Sequence, residues 1–121
     1  TLAFADRTLL AQIIYNLVSN AVKYSPSETP IDIRASQANG TVAIEITDHG
    51  NGISPQEQTR IFERFYRGEH PLVLATPGTG LGLSIVRSLI QKMNARIEVA
   101  STVGKGTEFR IFLPRRAETA E

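Results

Sequence analysis

Residues 31–47 read "IDIRASQANGTVAIEIT". In the first half Ile31, Ile33 and Ala35 alternate with polar residues, and in the second Val42, Ile44 and Ile46 form the apolar set. Alternation at period two marks a strand with one buried face. Asn39-Gly40 stands between the two runs. That dipeptide is the strongest short signal for a two-residue hairpin turn. The two strands are therefore expected to pair antiparallel, which argues against a repeated strand–helix–strand unit.

The flanking patterns extend this reading. Upstream, Leu10, Ile14, Leu17, Val18 and Ala21 share one face at helical spacing, and Asp6 is placed to cap a helix running to about Tyr24. The two prolines of "YSPSETP" (24–30) end it. Downstream come a glycine-rich turn (48–52), short helical pieces around "SPQEQTRIFERF" (54–65) and a loop over 67–80. A second long helix is predicted from about Leu81 to Met93. Two strands follow, Arg96–Ala100 and Thr107–Leu113, the last with Phe109, Ile111 and Leu113 on one face. The order α-β-β-α-β-β predicts an α+β fold. It is a two-layer α/β sandwich, with helices packed on one face of a mixed, mostly antiparallel sheet. One domain is expected over 1–114, with "RRAETAE" (115–121) as a disordered tail.

Composition narrows the function classes. The chain has 121 residues, the size of one ordinary domain, and 41% of them are apolar, enough for a single core. A net charge of +1 gives no strong field toward nucleic acid or an anionic membrane. The absence of cysteine removes disulfides, thiolate metal sites and thiol catalysis, and fits a reducing compartment. No apolar run approaches the ~20 residues of a membrane span, and no signal peptide opens the chain. The expected location is cytoplasmic, with membrane anchoring of a parent protein left open. The chain starts almost directly in a helical pattern and without methionine, and is read as a fragment of a longer protein.

Four motifs carry chemistry. In "PGTGLGLSIV" (77–86), Gly78, Gly80 and Gly82 precede a helix. They are turn residues, or they bring the backbone close to an anion at the helix start, where free N–H groups and the dipole favour negative charge. Ser84 adds a hydroxyl in the first turn. No Lys and hydroxyl pair follows Gly82, as a Walker A loop requires, and the loop does not follow the first strand of a βαβ unit, as a dinucleotide fingerprint would. In "NLVSNAVKY" (16–24), Asn16, Asn20 and Lys23 make one polar row at i, i+4, i+7. The row is a solvated edge, or it offers amide oxygen to a hard cation such as Mg²⁺ and an ammonium to a phosphate. In "DHGNGI" (48–53), Asp48 starts a tight turn, or its carboxylate accepts from an adenine amino group while the glycines leave room for the base. "GKGTEF" (104–109) is adequately explained as a glycine hairpin between strands.

These blocks, in this order, resemble the catalytic and ATP-binding domain of sensor histidine kinases. That domain belongs to the wider Bergerat-fold ATPases, with gyrase, a heat-shock chaperone and a mismatch-repair protein. "NLVSNAVKYS" is similar to the N box, "DHGNGI" to the first glycine box, "IFERFYR" (61–67) to the F box, "GTGLGLSIV" to the second glycine box and "GKGTEF" to the last. The resemblance runs from Asp6 to Pro114. It implies ATP and Mg²⁺ as cofactors, with Asn20 as the metal ligand and Asn16 supporting the metal or the phosphates. Lys23, Tyr24 and Arg67 would contact phosphates. Gly78, Thr79, Gly80, Leu81, Gly82, Leu83 and Ser84 would cover the triphosphate, and 67–79 would form a mobile lid. Asp48, Gly50, Gly52, Ile53 and Thr107 would bind adenine.

The resemblance also implies partners: a dimerisation domain that carries the phospho-acceptor histidine, and a response regulator downstream. Nucleic acid is not among them, and the isolated domain would be monomeric. His49 and His70 lie in no such helix and are read as incidental. Two departures stand out. "PLVLATP" (71–77) is more apolar than the usual lid, and its Leu72, Val73 and Leu74 are expected to dock on an apolar surface. "MNAR" (93–96) replaces two glycines at a helix end, where Asn94 can take the left-handed cap conformation. Hydrolytic relatives carry Glu where Asn16 stands, so a gyrase-type ATPase is the weaker reading. A serine kinase acting on an anti-sigma-factor partner and a non-catalytic nucleotide-binding module are further alternatives.

Overall fold

A computed structural model describes residues 7–26, 28–38, 40–63 and 82–114. The elements are α1 (Arg7–Tyr24), β1 (Asp32–Ala38), β2 (Thr41–Thr47), α2 (Pro55–Gln58), α3 (Gly82–Lys92), β3 (Arg96–Thr102) and β4 (Gly106–Leu113). The expected cap Asp6, the lid at 67–79 and the tail at 115–121 lie outside the described residues. Among the described residues, no helix is long and apolar enough to cross a membrane.

The strands form a four-stranded sheet in the order β1-β2-β4-β3, and every described pairing is antiparallel. Ala38 pairs with Thr41, so the first hairpin turns in two residues, with Gly40 at φ 79°. That positive φ is what a tight turn asks of its glycine. On β4, the alternation buries Phe109, Ile111 and Leu113. Register places Ile111 between Ile44 and Ile97, and Phe109 between Ile46 and Val99. These side chains meet Ile13 and Leu17 of α1 and Val86, Leu89 and Ile90 of α3 in one core. The helices thus cover one sheet face, as the two-layer reading requires.

The opposite face is polar. Arg34, Glu45, Arg110 and Glu98 form one row of alternating charge across all four strands. Arg110 pairs with Glu108 and, at 3.8 Å, with Glu45, while Arg96 stacks 4.4 Å above the Phe112 ring. Exposed pairs of this kind contribute little to stability. Their main effect is to keep this face in water.

Two details differ from the sequence pattern. The fully buried line of α1 runs through Ile13, Leu17 and Ala21, while Ile14 and Val18 are only partly buried. Two adjacent isoleucines satisfy helical spacing equally well, and packing against α3 chooses between them. Ile33 faces the same way as Ile46, its register partner, yet stays 54% exposed, because α1 lies over β2 and β1 is the sheet edge. Asn94 does end α3 in the left-handed region, at φ 54°. The bonds Ala95 N–H to Ile90 C=O (3.0 Å) and Asn94 N–H to Gln91 C=O (3.1 Å) complete a Schellman cap.

The core assignment is testable at two positions on one face. Ile111→Ala is expected to destabilise by about 2–5 kcal/mol, and Ile33→Ala by less than ~1 kcal/mol, in urea unfolding. Equal losses would contradict the described layering.

Candidate functional site

Three of the sequence motifs are brought to defined places. The first is the turn that leaves β2. Asp48 N–H donates to the Thr107 carbonyl (2.9 Å), and Thr107 N–H returns a bond to Asp48 Oδ1 (3.2 Å). The same Oδ1 accepts from Gly50 N–H at 2.8 Å. A short acidic side chain that bonds the backbone two residues on makes an Asx turn. Oδ1 is therefore held by two main-chain donors, and among the described residues Oδ2 accepts no hydrogen bond. Burial raises the Asp48 pKa above the ordinary carboxylate value, opposed by the Gly50 and Thr107 N–H bonds and the charge of His49. The neighbouring His49 Nε2 lies 3.7 Å from Asp32 Oδ2 at the surface.

Glycine is required at two points of this turn. Gly52 sits at φ 76°, and a Cβ there would lie 2.2 Å from the Thr102 carbonyl oxygen. Gly106 sits at φ 131°, and its Cβ would lie 2.1 Å from the Asp48 carbonyl oxygen. The two chain segments are thus in van der Waals contact through their backbones. Gly104 N–H adds a bond to the Asn51 carbonyl at 2.9 Å. Beyond the turn, Ser54 caps α2 by accepting from Glu57 N–H (3.2 Å), with Pro55 at the first helical position. Gln58 Nε2 donates to the Ile53 carbonyl at 2.9 Å, which fixes the far end of the loop.

The five residues assigned to adenine, Asp48, Gly50, Gly52, Ile53 and Thr107, therefore form one connected unit. Gly50 and Thr107 are buried within it. Sequence reasoning missed two members. "GKGTEF" does form a hairpin, with Lys105 N–H bonded to the Thr102 carbonyl at 2.9 Å. Gly106 does more, packing on Asp48. Ser101 Oγ takes the Ile53 N–H at 2.8 Å and lies 2.8 Å from Thr107 Oγ1. The available signal for Ser101 was a hydroxyl at the inward position after Ile97 and Val99.

The second motif is the row on α1. Asn16 and Asn20 are half-buried and Lys23 is exposed, all on one flank of the buried stripe. Ala11, Ile14, Tyr15, Val18, Ser19 and Val22 line a shallow apolar groove that reaches round the helix to Lys23, with Tyr15 70% exposed. Among the described residues, no cluster of three or more His, Cys, Asp or Glu could hold a metal. An oxygen from Asn20 is the kind of single protein ligand that Mg²⁺ accepts when water and phosphate complete its shell. The third motif is the start of α3 at Gly82, where Leu83 packs on the core and Ser84 is half-buried. Arg67, Gly78, Thr79, Gly80 and Leu81 lie outside the described residues, as do the apolar residues at 72–74.

The close backbone contact predicts a contrast between glycines. Gly106→Ala should cost about 2–4 kcal/mol, from a strained backbone and a displaced Asp48. Gly82→Ala, where a Cβ meets nothing within 4 Å among the described residues, should stay within ~1 kcal/mol. Thermal unfolding of the two variants checks this, and equal midpoints would contradict the contact.

Comparison with known proteins accords with this geometry. Residues 5–117 match the family model described as histidine kinase-, DNA gyrase B- and HSP90-like ATPase. The chain is 42% identical over 113 residues to the sensor-like histidine kinase SenX3 of Mycobacterium tuberculosis, covering 93% of this chain and 28% of that protein. Among solved structures, the mycobacterial sensor histidine kinase MprB superimposes with a TM-score of 0.79 at 34% identity, covering 93% of this chain and 74% of that one. Full-length ShkA in complex with AMPPNP gives a TM-score of 0.77 at 35% identity, covering 93% of this chain and 22% of that one. The chain thus spans under a third of the length of SenX3, and its likeness is to the ATP-binding catalytic domain. It belongs to the histidine kinase-, DNA gyrase B- and HSP90-like ATPase family, as a catalytic domain of the sensor histidine kinase type.

Proposed function

We infer that this domain binds Mg²⁺-ATP and presents the γ-phosphoryl group to a histidine on a dimerisation domain of its parent protein, which then passes it to a response regulator. The observation that carries the reading is the Asp48 clamp. Two main-chain donors hold one carboxylate oxygen and leave the other as an acceptor. An adenine amino group donates to such an oxygen, whereas guanine presents a carbonyl there and is repelled. A site built around a specific hydrogen bond rejects the analogue that lacks it.

The remaining residues suit phosphoryl transfer, which asks for positioning and charge neutralisation more than for covalent help. Asn20 would hold the Mg²⁺, with Asn16 beside it on α1. The bound ion would neutralise charge on the phosphates. Lys23, one turn beyond Asn20, supplies an ammonium for a phosphate oxygen, and the N-terminus of α3 offers main-chain donors. Tyr24, Arg67 and the Gly78–Leu81 stretch complete the proposed phosphate contacts. The acceptor imidazole attacks phosphorus itself and ADP leaves, so no water-activating base is needed. Asn16 cannot act as one, which disfavours the hydrolytic ATPase reading.

Four measurements test this. Asp48→Asn keeps an oxygen for the Gly50 and Thr107 N–H groups but turns the free oxygen into a donor. Its stability should change by less than ~1 kcal/mol, since a buried charge is removed as the bonds weaken. ATP affinity should fall about 10- to 100-fold, the cost of one charge-assisted hydrogen bond. Because burial raises the Asp48 pKa, ATP affinity of the unaltered protein should begin to fall on acidification above the ordinary aspartate range. Unchanged ATP affinity in Asp48→Asn would remove the base-reading role.

Asn20→Ala should weaken ATP binding in magnesium and leave binding in EDTA unaffected. Equal calorimetric affinity in magnesium for the two proteins would exclude Asn20 as ligand. Finally, the domain mixed with [γ-³²P]ATP and a sensor kinase dimerisation domain should label that domain on histidine. Alone, it should hydrolyse ATP far below ~1 s⁻¹, the lower end of ordinary turnover. Rapid phosphate release without labelling would favour the ATPase reading.

A further inference from the structure

Ser101 lies on β3 opposite Thr107 of β4. It occupies the helix-facing position after Ile97 and Val99, where the pattern calls for an apolar side chain. A half-buried hydroxyl there needs partners, and it has three. Ile53 N–H donates to Ser101 Oγ at 2.8 Å, Ser101 Oγ donates to the Gly106 carbonyl at 2.9 Å, and Thr107 Oγ1 lies 2.8 Å away.

A serine hydroxyl has one proton and two lone pairs. With its proton on the Gly106 carbonyl, one lone pair takes Ile53 N–H and the other takes the Thr107 hydroxyl proton. All three capacities are then filled. This arrangement has a consequence at Thr107. Its proton is spent on Ser101, so any ligand atom or water that reaches Oγ1 meets an acceptor.

We propose that Ser101 is a positioning residue for base selection: its single hydroxyl ties Ile53 to Gly106 and Thr107, and so fixes the Asp48 carboxylate from both sides of the turn. The proposal rests on the nucleotide reading above. Ile53 closes the 48–53 turn that Asp48 opens. Gly106 packs on the Asp48 carbonyl, and Thr107 supplies the N–H that holds Oδ1. Without the hydroxyl, Ile53 N–H loses its acceptor, Gly106 loses a donor, and the Thr107 hydroxyl is free to rotate and donate. The carboxylate loses its fixed aim and the second acceptor loses its polarity. A group that only stabilised the hairpin would alter unfolding but not the preference between bases.

The test is competition binding of ATP and GTP to the unaltered protein, Ser101→Ala and Ser101→Thr, at a temperature where all three are folded by circular dichroism. Ser101→Ala should bind ATP about tenfold more weakly with GTP affinity undiminished, shrinking the ATP preference by at least that factor. Ser101→Thr, which keeps the hydroxyl, should recover most of that loss. If Ser101→Ala does not fold, Ser101→Cys replaces it, since it has a similar shape but bonds weakly, and it carries the same expectation. An ATP-to-GTP preference identical in Ser101→Ala and the unaltered protein would overturn the proposal, as would a Ser101→Thr variant no better than Ser101→Ala. Failure of the unaltered protein to bind ATP would overturn the nucleotide reading itself.

Discussion

The proposed base site depends on a reciprocal pair of hydrogen bonds, Asp48 N–H to the Thr107 carbonyl and Thr107 N–H to Asp48 Oδ1. The first continues the β2–β4 ladder one step past its last residue pair, Thr47 with Glu108. The second converts the side chain into part of the main-chain framework. A half-buried carboxylate in a site that raises its pKa is costly to keep ionised. Two backbone donors offset that cost only if the two segments approach closely, and the approach is possible only because residue 106 has no side chain. Sheet register, glycine placement and carboxylate chemistry are therefore one constraint seen at three levels.

The rest of the molecule positions other groups around this clamp. The core of Ile46, Phe109 and Ile111 fixes the strand ends that carry Asp48 and Thr107, and the same core seats α1 and α3. α1 thereby presents Asn16, Asn20 and Lys23, and α3 presents its N-terminus. Among the described residues, Asp48, Thr107, Lys23 and Gly82 lie at or next to the ends of these elements, where precision is least costly to maintain. The division also explains how one fold serves both hydrolases and kinases. Base recognition and phosphate binding need no general base, so a single side chain on α1 can favour or forgo water activation. In the proposed reading that position is Asn16.

Much of this was legible in the sequence because the relevant forces are local. The Asn-Gly turn, the period-two strands and the left-handed cap at Asn94 each follow from the conformational limits of a few neighbouring residues. The exposure of Ile33 was not, since it depends on how far the helix layer extends over the sheet. Nor was the choice of Ile13 over Ile14, which is settled by the partner helix. Ser101 was invisible for a related reason. Its bond to Ile53 spans 48 residues and belongs to no short motif, and Thr107 meets Asp48 across 59. Motif reading found the residues proposed to touch the ligand, and the structure was needed to find what holds them.

A crystal structure of the domain with magnesium and a non-hydrolysable ATP analogue tests the central claim most directly. The account predicts the adenine amino nitrogen within hydrogen-bond distance of Asp48 Oδ2, with Oδ1 still bonded to the Gly50 and Thr107 N–H groups. A base seated elsewhere, or an amino group bonded to a main-chain carbonyl with Asp48 turned to solvent, would contradict it.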